Sequence, residues 1–166
     1  IARHDPGAAA AAEPYRVFLE GVVARQASLV AQWLLVGFIH GVMNTDNTTV
    51  AGETIDYGPC AFMDTYDPAT VFSSIDHGGR YAYANQPRIA AWNLARLAEA
   101  ILPLLADDSE HAVAIGNEVI GQYSALFSRA FVAGLRPKLG LFTEQETDAA
   151  LAQALLDAMA ANNADF

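Results

Sequence analysis

Apolar residues recur at helical spacing through Tyr15, Phe18, Leu19, Val22, Leu29, Val30 and Trp33, so the sequence predicts a long helix starting at Pro14. Gly37, suited to the left-handed position after a helix, is its expected end. Between Phe38 and Asp76 the periodicity lapses and Gly, Pro, Asn, Asp and Thr accumulate, as in loops joined by very short strands. There, residues 48–51 and 53–55, parted at Gly52, are expected to pair as a small hairpin. Residues 76–87, DHGGRYAYANQP, read as loop again, with Gly78-Gly79-Arg80 as a tight turn. Ile89, Trp92, Leu97 and Ile101 then mark a helix ending near Pro103. Ile115, Val119, Ile120, Tyr123, Leu126, Phe127 and Phe131 mark another ending near Gly134. Thr143 and Glu146 have capping-box spacing ahead of a last helix carrying Leu151, Leu155, Leu156 and Met159. Residues 1–13, with a Pro, a Gly and an alanine run but no apolar stripe, read as a lead-in to one mainly helical domain over 14–166.

At 166 residues and 53% hydrophobic, the chain has the size of one domain and can bury a sizeable core. Acidic residues outnumber basic ones 19 to 9, a formal charge of -10. That balance argues against a nucleic-acid backbone or an anionic membrane surface as the main partner, and no basic face is expected to serve either. The single cysteine, Cys60, excludes an internal disulfide framework and fits a reducing compartment. Residues 27–43 are the most apolar stretch, but Gln32 and His40 interrupt them and they fall short of the ~20 apolar residues of a spanning helix. No signal-peptide pattern is present, and a first residue of Ile1 rather than Met leads us to expect a chain that begins inside a longer protein. The four histidines, His4, His40, His77 and His111, lack the close pairing of a helical zinc site.

Candidate chemistry concentrates in residues 37–64, GFIHGVMNTDNTTVAGETIDYGPCAFMD, which set Asp46, Asn47 and Asp56 into a loop, short hairpin, loop arrangement. Mg²⁺ prefers hard oxygen ligands, takes one or two from a protein, and completes its octahedron with water and phosphate oxygens. An amide oxygen and a carboxylate suffice. A further carboxylate held off the metal can accept the proton of an attacking hydroxyl, the division of labour of kinase-type sites. On spacing alone, Asx turns at Asp46 and Asn47 and a turn cap at Asp56 account for these residues at least as well.

The whole string resembles the SelO family pattern, HGVMNTDN followed by a short hairpin and DYGP, matched at His40 to Asn47 and at Asp56 to Pro59. The resemblance continues through DHGGRYAYANQP, AAWNLARLAEAILPLL and KLGLFTEQETDAALAQALLDAMA, and is weaker between Ala106 and Pro137. It implies a protein-kinase-like carboxy-terminal lobe, mainly helical, with a short β hairpin at the active-site loop. In the intact protein it implies Mg²⁺-dependent transfer of AMP from ATP to Ser, Thr or Tyr hydroxyls of proteins, with Mn²⁺ as an alternative ion. Residue by residue, Asp46 corresponds to the proton-accepting aspartate, Asn47 and Asp56 to the metal ligands, and Asp56 also to a contact with the nucleotide. Asp56-Tyr57-Gly58 then stands where ordinary kinases have Asp-Phe-Gly. In ordinary kinases the catalytic Asp and the metal-binding Asn lie several residues apart, whereas Asp46 and Asn47 are adjacent. His40 is expected to be a packed structural residue, and Cys60 stands where the family pattern leads one to expect an aromatic. The glycine-rich strands and lysine of a nucleotide-binding lobe have no counterpart before Asp46, so the expectation is a fragment of the family's protein, inactive alone. A bacterial cytoplasmic setting is expected from the composition and the resemblance. The alternatives from other classes are a non-catalytic kinase-like scaffold and a phosphotransferase.

Overall fold

The computed structural model describes residues 1–3 and 5–166, so His4 lies outside the described residues. Helix α1 is Pro6–Ala9 and α2 is Pro14–Leu35. Strand β1, Phe38–Ile39, pairs antiparallel with β2, Ala61–Phe62, in the register Phe38 opposite Phe62 and Ile39 opposite Ala61. Four helices follow: α3 (Gln86–Leu105), α4 (Ser109–Gly121), α5 (Tyr123–Lys138) and α6 (Asp148–Ala161). The architecture is mainly helical with one small two-stranded antiparallel sheet.

The central element is α2. Pro14 starts it, where a missing N–H costs nothing. Leu19, Val22, Val23, Ala27, Val30, Ala31 and Leu34 are buried along it, and α3, α4 and α5 pack around this broad stripe. Each of the fully buried Leu and Val side chains among them stabilises the fold by about 1.5 to 3 kcal/mol. The helix stops as the sequence predicts: Gly37 takes φ +70, directly after Val36. A side chain there would also meet Phe166, whose ring lies 2.8 Å from an ideal Cβ on Gly37. The end of the chain thus closes over the start of β1. Asp165 bridges Thr65, the Phe166 N–H donates to the Asp64 carbonyl at 2.8 Å, and the Phe166 ring stacks on Tyr66.

Four sequence expectations are corrected. The hairpin over 48–55 reduces to a single antiparallel bridge, Thr48 to Thr54. Side chains of α2 take the carbonyls of its tip, Gln26 Nε2 donating to Thr49 O and Arg25 Nε to Val50 O, which tethers the loop to the helix. The apolar stripe over 115–131 belongs to two helices, because α4 closes at Gly121 and α5 starts at Tyr123. Gly134 does not end α5; it lets the helix approach α2, where an added Cβ would lie 2.1 Å from Leu35 Cδ1. The Thr143 and Glu146 capping box does not form, since α6 begins at Asp148 and the Asp148 carboxylate accepts from the Gln145 N–H instead. Within residues 1–13, Asp5 caps α1 through the Ala8 N–H and Ala8 is buried. Gly79 adopts φ +64 while Asp76 accepts from the Arg80 and Tyr81 N–H groups, the tight turn expected there. Among the described residues no helix is long and apolar enough to cross a membrane.

Candidate functional site

Residues 40–60 form an irregular segment whose shape is fixed from beneath by side chains of α2 and α3. His40 is fully buried. Its Nδ1 accepts from the Val42 N–H, so Nε2 carries the proton and donates to the Ile55 carbonyl at 2.8 Å, beside Asp56. That places His40 as a brace between the two halves of the loop, in line with a structural rather than a basic role. Gln86, at the start of α3, accepts from the His40 N–H and donates to the Phe38 carbonyl, at 3.0 and 2.9 Å. Asn93, about two turns further along, donates to Met43 O and Thr48 Oγ1, each at 3.0 Å. From α2, Trp33 Nε1 donates to Thr54 Oγ1 at 2.8 Å. Gly41, at φ +85, leaves room for Pro59, which sits 2.9 Å from where a Cβ would stand. The HGVM and DYGP stretches therefore pack directly on one another.

Sequence reasoning did not single out Gln26, Trp33, Gln86 or Asn93 as supports of this loop. A signal was present in three of them: a long amide inside an otherwise apolar stripe must find backbone partners once buried. Asn93 meets this demand only in part, because its Oδ1 is buried without a partner among the described residues. Such an orphan acceptor is destabilising by about 1 to 3 kcal/mol. The fold accepts it while the amide holds Met43 and Thr48.

On this frame Asp46 lies exposed in the one-turn 3₁₀ segment Thr45–Asn47. Asn47 donates from Nδ2 to Val42 O at 3.0 Å, which fixes the amide and leaves Oδ1 free of protein donors among the described residues. The Thr48 to Thr54 bridge closes the loop between them, so Asn47 stands one residue before the closure and Asp56 two residues after it. Asp56 itself adopts φ +56, a left-handed conformation uncommon outside glycine. Such a conformation costs roughly 1 kcal/mol and clusters at functional sites. Its carboxylate is exposed and holds no protein donor among the described residues. The structure thus brings the three residues to the mouth of one closed loop.

Asn47 Oδ1 and the Asp56 carboxylate are hard, unengaged oxygens, a donor set that fits Mg²⁺ or Mn²⁺. Among the described residues no three His, Cys, Asp or Glu side chains gather as a metal site. A divalent ion here would draw its remaining ligands from water and phosphate. A cavity of about 300 Å³ lies behind the loop, between Gln26 of α2 and Asn93 and Arg96 of α3, and none of Asp46, Asn47 and Asp56 lines it. Asp46 and Asp56 are exposed to solvent and Asn47 is half-buried.

Comparison with known proteins identifies the family. The family model described as protein adenylyltransferase SelO matches residues 1–166. A protein of Bradyrhizobium diazoefficiens named protein nucleotidyltransferase YdiU is 65% identical over 166 residues, covering 100% of this chain and 34% of its own length. Proteins of the same name from Methylorubrum extorquens and Rhodopseudomonas palustris are 64% and 62% identical, again over 100% of this chain and over 33% and 34% of their own lengths. The chain spans about a third of the length of the curated relatives it matches. With the family pattern matched from its first residue to its last, the chain belongs to the SelO family.

Proposed function

We propose that the whole protein containing this chain transfers AMP from ATP to Ser, Thr or Tyr hydroxyls of other proteins, and that the loop closed by Thr48 and Thr54 carries the chemistry. The observation behind this reading is the set of unengaged oxygens on Asp46, Asn47 and Asp56 at the mouth of that loop. Membership of a family described as protein adenylyltransferase supplies the reaction class. In the step proposed, the acceptor hydroxyl oxygen attacks the α phosphorus of ATP, a new P–O bond forms, and the bond to pyrophosphate breaks. The hydroxyl proton passes to the Asp46 carboxylate. Asn47 and Asp56 hold the divalent ion, which when bound neutralises phosphate charge as the leaving group departs.

The helical body is read with it as a kinase-like carboxy-terminal lobe. Supporting this are the order long helix, short strand, catalytic turn, Asp-Tyr-Gly segment and further helices, and the buried His40 that braces the loop. Incubating the whole protein with ATP labelled at the α or the γ phosphate tests the reaction. Label should reach a protein acceptor from the α position alone, with a mass gain of AMP. Transfer of γ label without α label would establish a phosphotransferase and end the adenylyltransferase reading.

A further inference from the structure

Two of the nine basic residues of this acidic chain, Arg80 and Arg96, meet at one indole beside the turn that carries Asp46, with Arg88 a helical turn away, although the net charge gave no reason to expect a basic face. Arg88, Trp92 and Arg96 are spaced by four on α3 and share one exposed face of the helix. Trp92 remains 44% exposed. Arg96 stacks over its ring at 5.1 Å, and Arg80, from the preceding turn, stacks over the same ring at 5.0 Å and over Tyr81 at 5.7 Å. Tyr81 in turn donates its hydroxyl to Asn44 Oδ1 at 2.6 Å, two residues before Asp46. Thr45 and Arg96 line the same cavity. The patch and the turn that carries Asp46 are therefore neighbours through one hydrogen bond and a shared cavity.

We propose that Arg80, Arg88 and Arg96, gathered about Trp92, form a docking surface for an acidic, extended segment of the protein substrate, flanking the hydroxyl presented to Asp46. This rests on the reading of the substrate as a protein. Two guanidinium groups drawn to one indole repel each other, and a carboxylate between them relieves that repulsion. The chain itself supplies little relief. Arg96 pairs with exposed Glu99, while among the described residues Arg80 and Arg88 have no ion pair. Successive positions of the helical stripe are about 6 Å apart. Same-face side chains of an extended peptide recur every ~6.6 Å, so alternate acidic residues fall in step with the stripe.

The test uses the whole protein and a fluorescein-labelled peptide with one tyrosine flanked by alternating glutamates, read by fluorescence anisotropy at low and high salt. A peptide with lysines in place of the glutamates is the comparison. The acidic peptide should bind preferentially and lose affinity with salt. The double variant R80E and R96E should weaken it on the order of tenfold or more, and Trp92→Ala by a few-fold, with both variants still folded by circular dichroism at the assay temperature. Equal binding of both peptides, or an unmoved affinity in the double variant, would overturn the proposal. So would tighter, equally arginine-dependent binding of an oligonucleotide of the same charge. A parallel assay with α-labelled ATP keeps the two readings apart. Charge-dependent binding without any transfer would strike the transferase reading and leave the acidic docking surface standing.

Discussion

At the scale of single residues, Asp46 and Asp56 are both exposed carboxylates, yet their settings differ. Asp46 sits in an ordinary 3₁₀ turn, whereas Asp56 is held left-handed next to a carbonyl that His40 restrains. If Asp56 is the metal ligand and Asp46 the base, the two should separate in a binding assay on the whole protein. Asp56→Asn, which tolerates the left-handed backbone, should weaken Mg-ATP binding and activity together. Asp46→Ala should leave binding within about threefold while lowering turnover by roughly 10² to 10⁴. Calorimetry showing equal loss of nucleotide affinity in both variants would refute this division. These residues were legible because a contiguous motif carries them. The residues that position them were not, since Gln86 and Asn93 act across 46 and 50 positions of sequence. No local pattern reports the far end of such a bond.

At the scale of elements, periodicity located the helical stretches and both ends of α2, but not the boundary between α4 and α5 or the start of α6. The stripe through Val119 and Tyr123 runs on across Gln122 because α4 and α5 bury neighbouring faces, so the sequence shows one helix where there are two. The start of α6 illustrates the same limit. Arg136 of α5 reaches Glu144 and Asp148, and this long-range guanidinium displaces the local capping box expected at Thr143 and Glu146. The Gln145 N–H chiefly, and the Arg136 guanidinium with it, hold the Asp148 carboxyl below the usual carboxylate range. A carboxyl depressed in the folded state contributes stability above its unfolded pKa of about 4, and that contribution is lost as pH falls through the lower folded value. Wild type should therefore exceed Asp148→Asn in melting temperature by a constant margin near neutrality. Below about pH 4 the margin should shrink. Thermal unfolding followed by circular dichroism from neutral to acid pH measures it, and a margin independent of pH would refute the link.

For the molecule as a whole, Asp46 and Asp56 are exposed, and the cavity behind the candidate loop is not lined by them or by Asn47. The transfer proposed above would depend on positioning and charge neutralisation around the phosphates, to which the proposed loop would contribute Asp46, Asn47 and Asp56. The chain alone is expected to bind Mg-ATP weakly and to transfer nothing. Micromolar affinity in a calorimetric titration of this chain would show that the loop is sufficient by itself.

Asp165 and Phe166 fasten onto Asp64, Thr65 and Tyr66, next to strand β2, about a hundred residues after that segment. On the ribosome, at about 5 to 20 residues per second, the nascent segment around Tyr66 waits roughly 5 to 20 s for its clasp to be synthesised. Throughout that interval Tyr66 lacks the aromatic ring it later stacks on. Packing of the segment that follows β2 is therefore timed by residues synthesised about a hundred positions later.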